Sequence, residues 1–358
     1  MRFEKMEYLD WVRTKSKVRI NLCLSGMRNF SLQNFGLDRD KLEIYGDNMY
    51  GYPPLLEAIA SRFKVREENV VTAIGTSHAI FLVCAALLQA GDKVLIEKPA
   101  YEPLLAVPRA LETVISRIER KYENKYQIDL DEFDGSISQK TKLVILTNLH
   151  NPSGTFLKRS TLKDMAEIAQ KKGVWILVDE IYLDYMDEEE ERETSFSLAE
   201  NIIVISSLTK VYGLGGLRCG WILAPSKIVK KMRSIIDYTS VEGVFIGEQV
   251  SAGVFSQLDS ILEKNKELVK QNSMMMRNFI QKEEKLSWVE PAAGILCFPK
   301  VEGLTGDRLA SLLLEKYNTS VVPGRFFEDS QHVRIGYGVT PGILARGLEN
   351  IKKALGEL

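Results

Sequence analysis

Histidine and cysteine are scarce in this 358-residue chain, which has three of the first and four of the second. The cysteines (Cys23, Cys84, Cys219 and Cys297) lie far apart, and none stands in a C-x-x-C pair. That pattern excludes a disulfide scaffold and offers no zinc spacing, so the four read as reduced core thiols and no metal site is expected. Long apolar runs are missing as well. The most apolar, Ile80 to Leu88, has about half of the roughly 20 residues that a bilayer span needs, and reads as a buried helix. The N-terminal stretch is charged throughout and lacks the apolar core of a signal peptide. Neither sign of charge dominates: 47 Lys and Arg against 48 Asp and Glu leave a net charge of -1. A partner made of nucleic-acid phosphate or anionic lipid is therefore not expected. No G-x-G-x-x-G turn follows a first strand, which argues against a plain nucleotide-binding protein. These absences leave a protein expected to be soluble, in the cytoplasm.

The chain is rich in material for a core, with 45% hydrophobic residues. At roughly 150 residues per domain, its length suggests two domains or three. Short β-rich runs alternate with helical stretches from Val70 to Leu223. The strands are expected at 94–97, 143–148, 174–179, 202–207 and 219–224, with a helix from Ser160 to Lys172 between two of them. Several strands are apolar on both faces, as a sheet covered by helices on both sides requires. The expectation is an α/β fold: a large domain with a mostly parallel, doubly wound sheet, plus a smaller α+β domain. The texture changes beyond Ser226, where long polar helices are expected over Ser256 to Lys285. The division expected is 1–40 as an N-terminal segment joining the small domain, 41–235 as the large domain and 236–358 as the small one. The acidic run Asp187 to Glu193 reads as a solvated loop, and Met274 to Met276 as core or subunit-interface packing.

In such sheets, ligands sit beyond the carboxyl ends of the strands. Those ends carry an unusual set of groups: Asn151-Pro152-Ser153-Gly154, Asp179-Glu180-Ile181-Tyr182, and Ser207-Leu208-Thr209-Lys210 leading through glycines to Arg218. Gly75-Thr76-Ser77-His78 opens the buried helix. Each piece alone is ordinary: a turn, a helix cap, a solvated lysine. Together they offer an amine, a carboxylate, a phenol, an amide and an anion cradle where one pocket would form. Pyridoxal phosphate needs that inventory. Lys210 would form its Schiff base, and Asp179 would pair with the pyridine nitrogen. Tyr182 and Asn151 would hydrogen-bond the ring oxygen. The N–H groups of Thr76 and Ser77 at a helix start, the hydroxyls of Ser207 and Thr209, and Arg218 would hold the phosphate. Tyr101, after Glu97-Lys98-Pro99-Ala100, is placed to stack on the ring.

On these motifs the chain resembles the fold-type-I pyridoxal-phosphate enzymes, and among them the class I and II aminotransferases. Ser207-Leu208-Thr209-Lys210 with Arg218 is similar to their S-x-[ST]-K signature, Asn151 to Gly154 to N-P-[TS]-G, and Asp179 to Tyr182 to D-E-x-Y. The order agrees from Ile20 to Arg334. The resemblance implies that Gly26 approaches the substrate carboxylate and that Arg334, in Val333-Arg334-Ile335-Gly336, grips it. It implies a homodimer whose partner phosphate is reached by a tyrosine, Tyr45 or more weakly Tyr50. Tyr45 stands six residues before Gly51, one more than the family spacing.

The implied reaction passes an amino group from an L-amino acid to a 2-oxo acid, with glutamate and 2-oxoglutarate as one pair. Aspartate-specific relatives hold the side-chain carboxylate with a second basic group, and neither Ser77 nor the stretch Tyr238 to Val250 supplies one. Tyr238, Val244 and Phe245 would instead tolerate an apolar or aromatic donor, while aspartate and alanine-type donors stay open. A β-lyase or decarboxylase of the same scaffold would share nearly all these residues. A non-enzymatic regulator of aminotransferase-like fold is disfavoured, because about twenty residues precede the matching region, too few for a helix-turn-helix.

Overall fold

The computed structural model describes residues 2–27, 31, 33, 35–36 and 39–358. Its strands are β1 (Ile20–Asn21), β2 (Val70–Ile74), β3 (Lys93–Lys98), β4 (Val114–Glu119), β5 (Thr141–Thr147), β6 (Trp175–Asp179), β7 (Ile202–Ser207) and β8 (Cys219–Leu223). Short strands follow: β9 (Leu286–Ser287), β10 (Leu296–Cys297), β11 (Lys300–Val301), β12 (Thr319–Ser320), β13 (Val322–Pro323) and β14 (Val333–Gly336). The first helices are α1 (Glu7–Lys15), α2 (Pro53–Phe63), α3 (Thr76–Leu87), α4 (Pro103–Ala110), α5 (Leu130–Ser136) and α6 (Arg159–Lys171). After them come α7 (Glu189–Arg192), α8 (Ser226–Thr239), α9 (Phe245–Phe255), α10 (Leu258–Ile280), α11 (Gly306–Tyr317) and α12 (Pro341–Glu357).

The large sheet has seven strands in the order β2-β8-β7-β6-β5-β3-β4, and only β8 runs antiparallel to its neighbours. The α/β class with a mostly parallel sheet is thus as expected. The five expected strands are all present. Two more complete the sheet: β2, a short run into a helix, and β4, an edge strand whose exposed and half-buried residues give little apolar signal. The central strands are buried on both faces; Val144, Ile145, Ile176 and Leu177 are fully covered. Each such side chain contributes roughly 1.5–3 kcal/mol on leaving water. Helix α3 seats Ile80, Leu82 and Val83 on one face of the sheet, and α8 adds Ile228, Val229 and Met232 there.

Parallel strands ending together put their last residues side by side. Thr147 is in register with Asp179, and the return from β7 to β8 carries Lys210 and Arg218 along the same edge. The antiparallel pairing of Ile74 with Cys219 brings the start of α3 beside that return.

The N-terminal segment joins the C-terminal part of the chain. β1 pairs in parallel with β12, and Gly336 N–H donates to Leu22 C=O, closing β14 against the same strap. Arg334 lies in the middle of a three-stranded antiparallel sheet, β10-β14-β13. Helix α1 docks through Tyr8, and the backbone N–H groups of Glu7 and Tyr8 donate to the Glu102 carboxylate at 2.9 and 2.8 Å. A carboxylate at a helix start satisfies orphan donors and complements the helix dipole. The polar helix expected over 256–285 is the shorter α10. The acidic run departs from a plain loop, with residues 189–192 forming the one-turn α7. All four cysteines are free and buried. Met276 is in the core, whereas Met274 is exposed.

Candidate active site

Lys210 sits in the β7–β8 return, and its Nζ donates to Ser25 Oγ at 2.7 Å. Burial and the nearby charges of Arg334 and Arg218 lower its pKa to about 8, against the pull of Asp179. About one amine in ten is then neutral at pH 7, where an ordinary lysine has about one in a few thousand. The N-terminal strap closes over the lysine: Met27 N–H donates to Lys210 C=O at 2.9 Å, and a Cβ on Gly26 would lie 3.4 Å from Lys210 Cδ.

Asp179 ends β6, is 5% exposed and accepts the Ile181 N–H at 3.1 Å. Burial pushes its pKa up to about 7, with Glu97 and Glu180 adding repulsion and Lys210 opposing it. Glu180 points elsewhere, its carboxylate taking the N–H and O–H of Ser195. Folding raises the Asp179 pKa from 3.8 to about 7, so the folded chain holds this proton more tightly than the unfolded one. Its contribution to stability is present below pH 4 and lost as the pH rises towards 7. In protein free of small molecules, Asp179→Asn should therefore gain in Tm relative to the native chain as the pH is raised from about 4 to about 7. A Tm difference that stays flat across that window would show that Asp179 is not desolvated in this way.

Arg334 is fully buried. Its Nη2 donates to Tyr8 OH at 2.8 Å and to Cys23 C=O at 2.9 Å, and its Nη1 to Asn151 Oδ1 at 3.3 Å. The guanidinium lies 5.3 Å from the Tyr8 ring centre and 5.1 Å from that of Phe327. Its Nε has no partner, and no carboxylate pairs with it among the described residues. A buried guanidinium without an acid is costly, so the site is built for an anion that arrives from outside.

A second unpaired guanidinium marks the other end. Arg218 donates to Ile74 C=O at 3.1 Å and Gly215 C=O at 3.2 Å, and no acid pairs with it among the described residues. Gly75, with φ of 77°, caps α3, and a Cβ there would come within 2.4 Å of Arg218 Nη2. Only glycine keeps this cradle open. The first-turn N–H groups at Thr76 and Ser77 have no acceptor within the helix. Ser207 Oγ accepts from Thr76 Oγ1 and from Thr209 N–H, each at 3.2 Å, which leaves its own proton to give. The Ser77 side chain is exposed.

A cavity of about 460 Å³ is lined by Tyr8, Ser25, Gly26, Tyr101, Thr209 and Lys210; Arg334 reaches it through Tyr8 and Cys23, while Arg218 lies outside its lining. Tyr101 meets Tyr8 edge to face at 5.4 Å, and Tyr182 OH donates to Ser25 C=O at 2.6 Å. The residues expected at the site are thus gathered on one edge, with exceptions. Tyr45 is 87% exposed, and Tyr50 lies beside the space near Arg218, under Arg233. Neither lines the cavity of its own chain. Tyr238 and Val244 are also exposed, and Phe245 packs against Tyr52.

Several site residues lie outside the motifs. Tyr8 reaches Arg334 from the N-terminal segment, where Tyr8, Leu9 and Val12 at helical spacing were the available signal, and Ser25, next to the expected Gly26, bonds Lys210. Glu97, Arg120 and Thr147 form a buried network behind Asn151. The signal for Glu97 was a lone carboxylate inside an apolar strand.

The family model described as aminotransferase class I and II matches residues 31–351. An aspartate aminotransferase of Pyrococcus horikoshii is 28% identical, covering 85% of this chain and 81% of its own. Capreomycidine synthase of Streptomyces vinaceus is 26% identical over 97% of this chain and 92% of its own. The crystal structure of a PLP-dependent aminotransferase from Streptococcus suis has the same fold, with a TM-score of 0.93 at 24% identity, covering 100% of this chain and 99% of that one. By a match that runs through both the sheet and the segment bearing Arg334, this chain belongs to the class I and II aminotransferases, and it is a pyridoxal-phosphate-dependent transferase.

Proposed function

We propose that the enzyme carries the amino group of an L-amino acid with a neutral side chain to a 2-oxo acid, with glutamate and 2-oxoglutarate as one pair. The observation that carries this is the placing of a readily neutralised amine, Lys210, within reach of the field of a buried guanidinium that lacks an acid, Arg334. Pyridoxal phosphate, when bound, supplies an aldehyde that captures amines and a ring that draws electrons from the adjoining carbon. Arg218, the α3 N–H groups at Thr76 and Ser77, Ser207 and Thr209 suit its phosphate. Asp179 suits its ring nitrogen: a cation there favours the charged carboxylate that burial alone resists. Asn151 and Tyr182 can each offer a donor to its ring oxygen, and Tyr101 a face to its ring. Arg334, with Gly26 close by, seats the α-carboxylate as a fork that a lysine could not copy. Lys210 Nζ takes the proton from the substrate Cα and gives it back on the cofactor side, acting as base and then acid.

The donor side chain would face Leu9, Val12, Leu24 and Met27, which bring no charge to the cavity. That wall favours apolar or aromatic donors over aspartate. A donor screen with 2-oxoglutarate tests both parts of the proposal. The expected result is one keto acid per glutamate formed, fastest with apolar or aromatic donors. Ammonia or carbon dioxide released in step with donor loss would replace amino transfer with β-lyase or decarboxylase chemistry. Aspartate matching the best donor would overturn the neutral wall.

We also propose a homodimer. Large apolar side chains stand exposed on two neighbouring segments, Ile44, Tyr45 and Met49 on one, Tyr238, Val241 and Val244 on the other. Asn48 Nδ2 donates to Glu248 at 3.0 Å and Phe245 packs on Tyr52, which fastens the two segments together. A patch of this kind calls for a partner, and a second copy would bring Tyr45 to the neighbouring phosphate. Light scattering should show a dimer for the native chain and a monomer with little activity for Tyr238→Asp/Val241→Asp. A variant still dimeric at the same concentration would place the interface elsewhere. No helix among the described residues is long and apolar enough to cross a membrane. A cytoplasmic setting, without nucleic acid or membrane as partner, belongs to the same proposal.

A further inference from the structure

We infer that Thr147 is a positioning residue: its hydroxyl joins Asn151 to the buried Glu97–Arg120 ion pair and so fixes the amide that meets the cofactor ring. The inference rests on the cofactor placement proposed above. Thr147 ends β5, one strand from Asp179 and in register with it. Its Oγ1 donates to Glu97 Oε1 at 2.5 Å, and its N–H donates to the same oxygen at 2.7 Å. The other oxygen of Glu97 takes Arg120 Nη1 at 2.7 Å, and both side chains of the pair are wholly buried. Arg120 is fixed in turn by its Nε, which donates to Tyr126 C=O at 2.6 Å.

The direction of these bonds follows from chemistry. A carboxylate paired with a guanidinium only accepts, so the single hydroxyl proton of Thr147 is committed to Glu97. The oxygen's lone pairs are then free for the Asn151 N–H, which donates to it at 3.0 Å. A hydroxyl donating to an ion-paired carboxylate is a better acceptor than a free one. At the other end of Asn151, a guanidinium can only donate, so the amide oxygen must be what faces Arg334 Nη1. Asn151 is thereby pinned through its backbone and its amide oxygen, and its NH₂ is left to give to a ligand. The same amide touches both the seat of the ring oxygen and the seat of the carboxylate.

Glu97 loses one donor when the hydroxyl at 147 is removed but keeps the Thr147 N–H and Arg120 Nη1, whereas Asn151 N–H has the hydroxyl oxygen as its acceptor. The residue ends an apolar strand, where valine would fill the same volume with the same branched shape. Valine would leave the Asn151 N–H without an acceptor and free the loop to shift. With the cofactor bound, a ring oxygen that has lost a well-placed donor would hold a nearby proton more tightly.

The test is a pH titration of the visible band of the cofactor-loaded protein, in the native chain, Thr147→Val and Thr147→Ser. The midpoint should rise by roughly one pH unit in the valine variant, the scale of one lost hydrogen bond, and return to the native value in the serine variant. A merely structural role would lower Tm in the valine variant and leave the midpoint in place; that outcome overturns the inference. Thr147→Ala carries the same test if the valine variant does not fold. A native chain that forms no visible band at all would instead sink the cofactor placement, so the two failures are distinguishable.

Discussion

Replacing Lys210 with alanine is expected to lower amino transfer by roughly 10⁴-fold or more, since in the proposed mechanism one side chain would both bind the cofactor covalently and move the proton. No neighbour can stand in for it. Ser25, its hydrogen-bond partner at 2.7 Å, is a hydroxyl that can neither form the imine bond nor serve as a base near neutrality. Asp179 is close enough to influence the amine but ends β6 with its carboxylate capping Ile181 N–H. The proposed phosphate cradle of Gly75, Thr76, Ser207 and Arg218 is untouched by the change, so the variant should still take up cofactor without bonding to it. Borohydride reduction followed by mass measurement separates the two effects. The native chain should gain the mass of the cofactor and the variant should not. A variant that transaminates at the native rate would remove Lys210 from its role.

Arg334→Ala should cost about 10²–10³-fold in kcat/KM for every amino acid alike, the scale of truncating one side of a buried charge pair. The site explains why the loss should be uniform and large. The guanidinium is already oriented by Tyr8 OH, Cys23 C=O and Asn151 Oδ1, so little ordering remains when a carboxylate arrives. Arg334→Lys should recover only a small part, because an ammonium cannot form the two parallel bonds of a fork. The visible band of the loaded protein should be nearly native in both variants. A loss confined to one class of donor would assign Arg334 to the side chain rather than to the α-carboxylate.

Much of this was legible in the sequence, for a physical reason. Parallel strands covered on both faces must be apolar throughout, so polar residues at their ends stand out, and Asn151, Asp179 and Lys210 were singled out as candidates in that way. Strand β4 escaped because it lies at the sheet edge and keeps water on part of its surface, and Arg120, the residue just after it, escaped with it. Glu97 and Arg120 are 23 residues apart, and only the sheet makes them an ion pair. Tyr8 was hidden by the charges around it on α1, of which one face alone is buried. Tyr45 shows a different limit. Its surroundings in a single chain are largely solvent, so the chain alone gives it no role, and the one proposed for it needs a second copy.

The central claim, amino transfer through Lys210 with the carboxylate on Arg334, is tested most directly by the visible absorbance of the loaded protein through two half-reactions. One equivalent of an apolar amino donor, given without acceptor, should bleach the band and release one equivalent of keto acid. Addition of 2-oxoglutarate should restore the band and yield glutamate. A band that survives every donor, or one that bleaches with release of ammonia or carbon dioxide and does not return, would contradict the account.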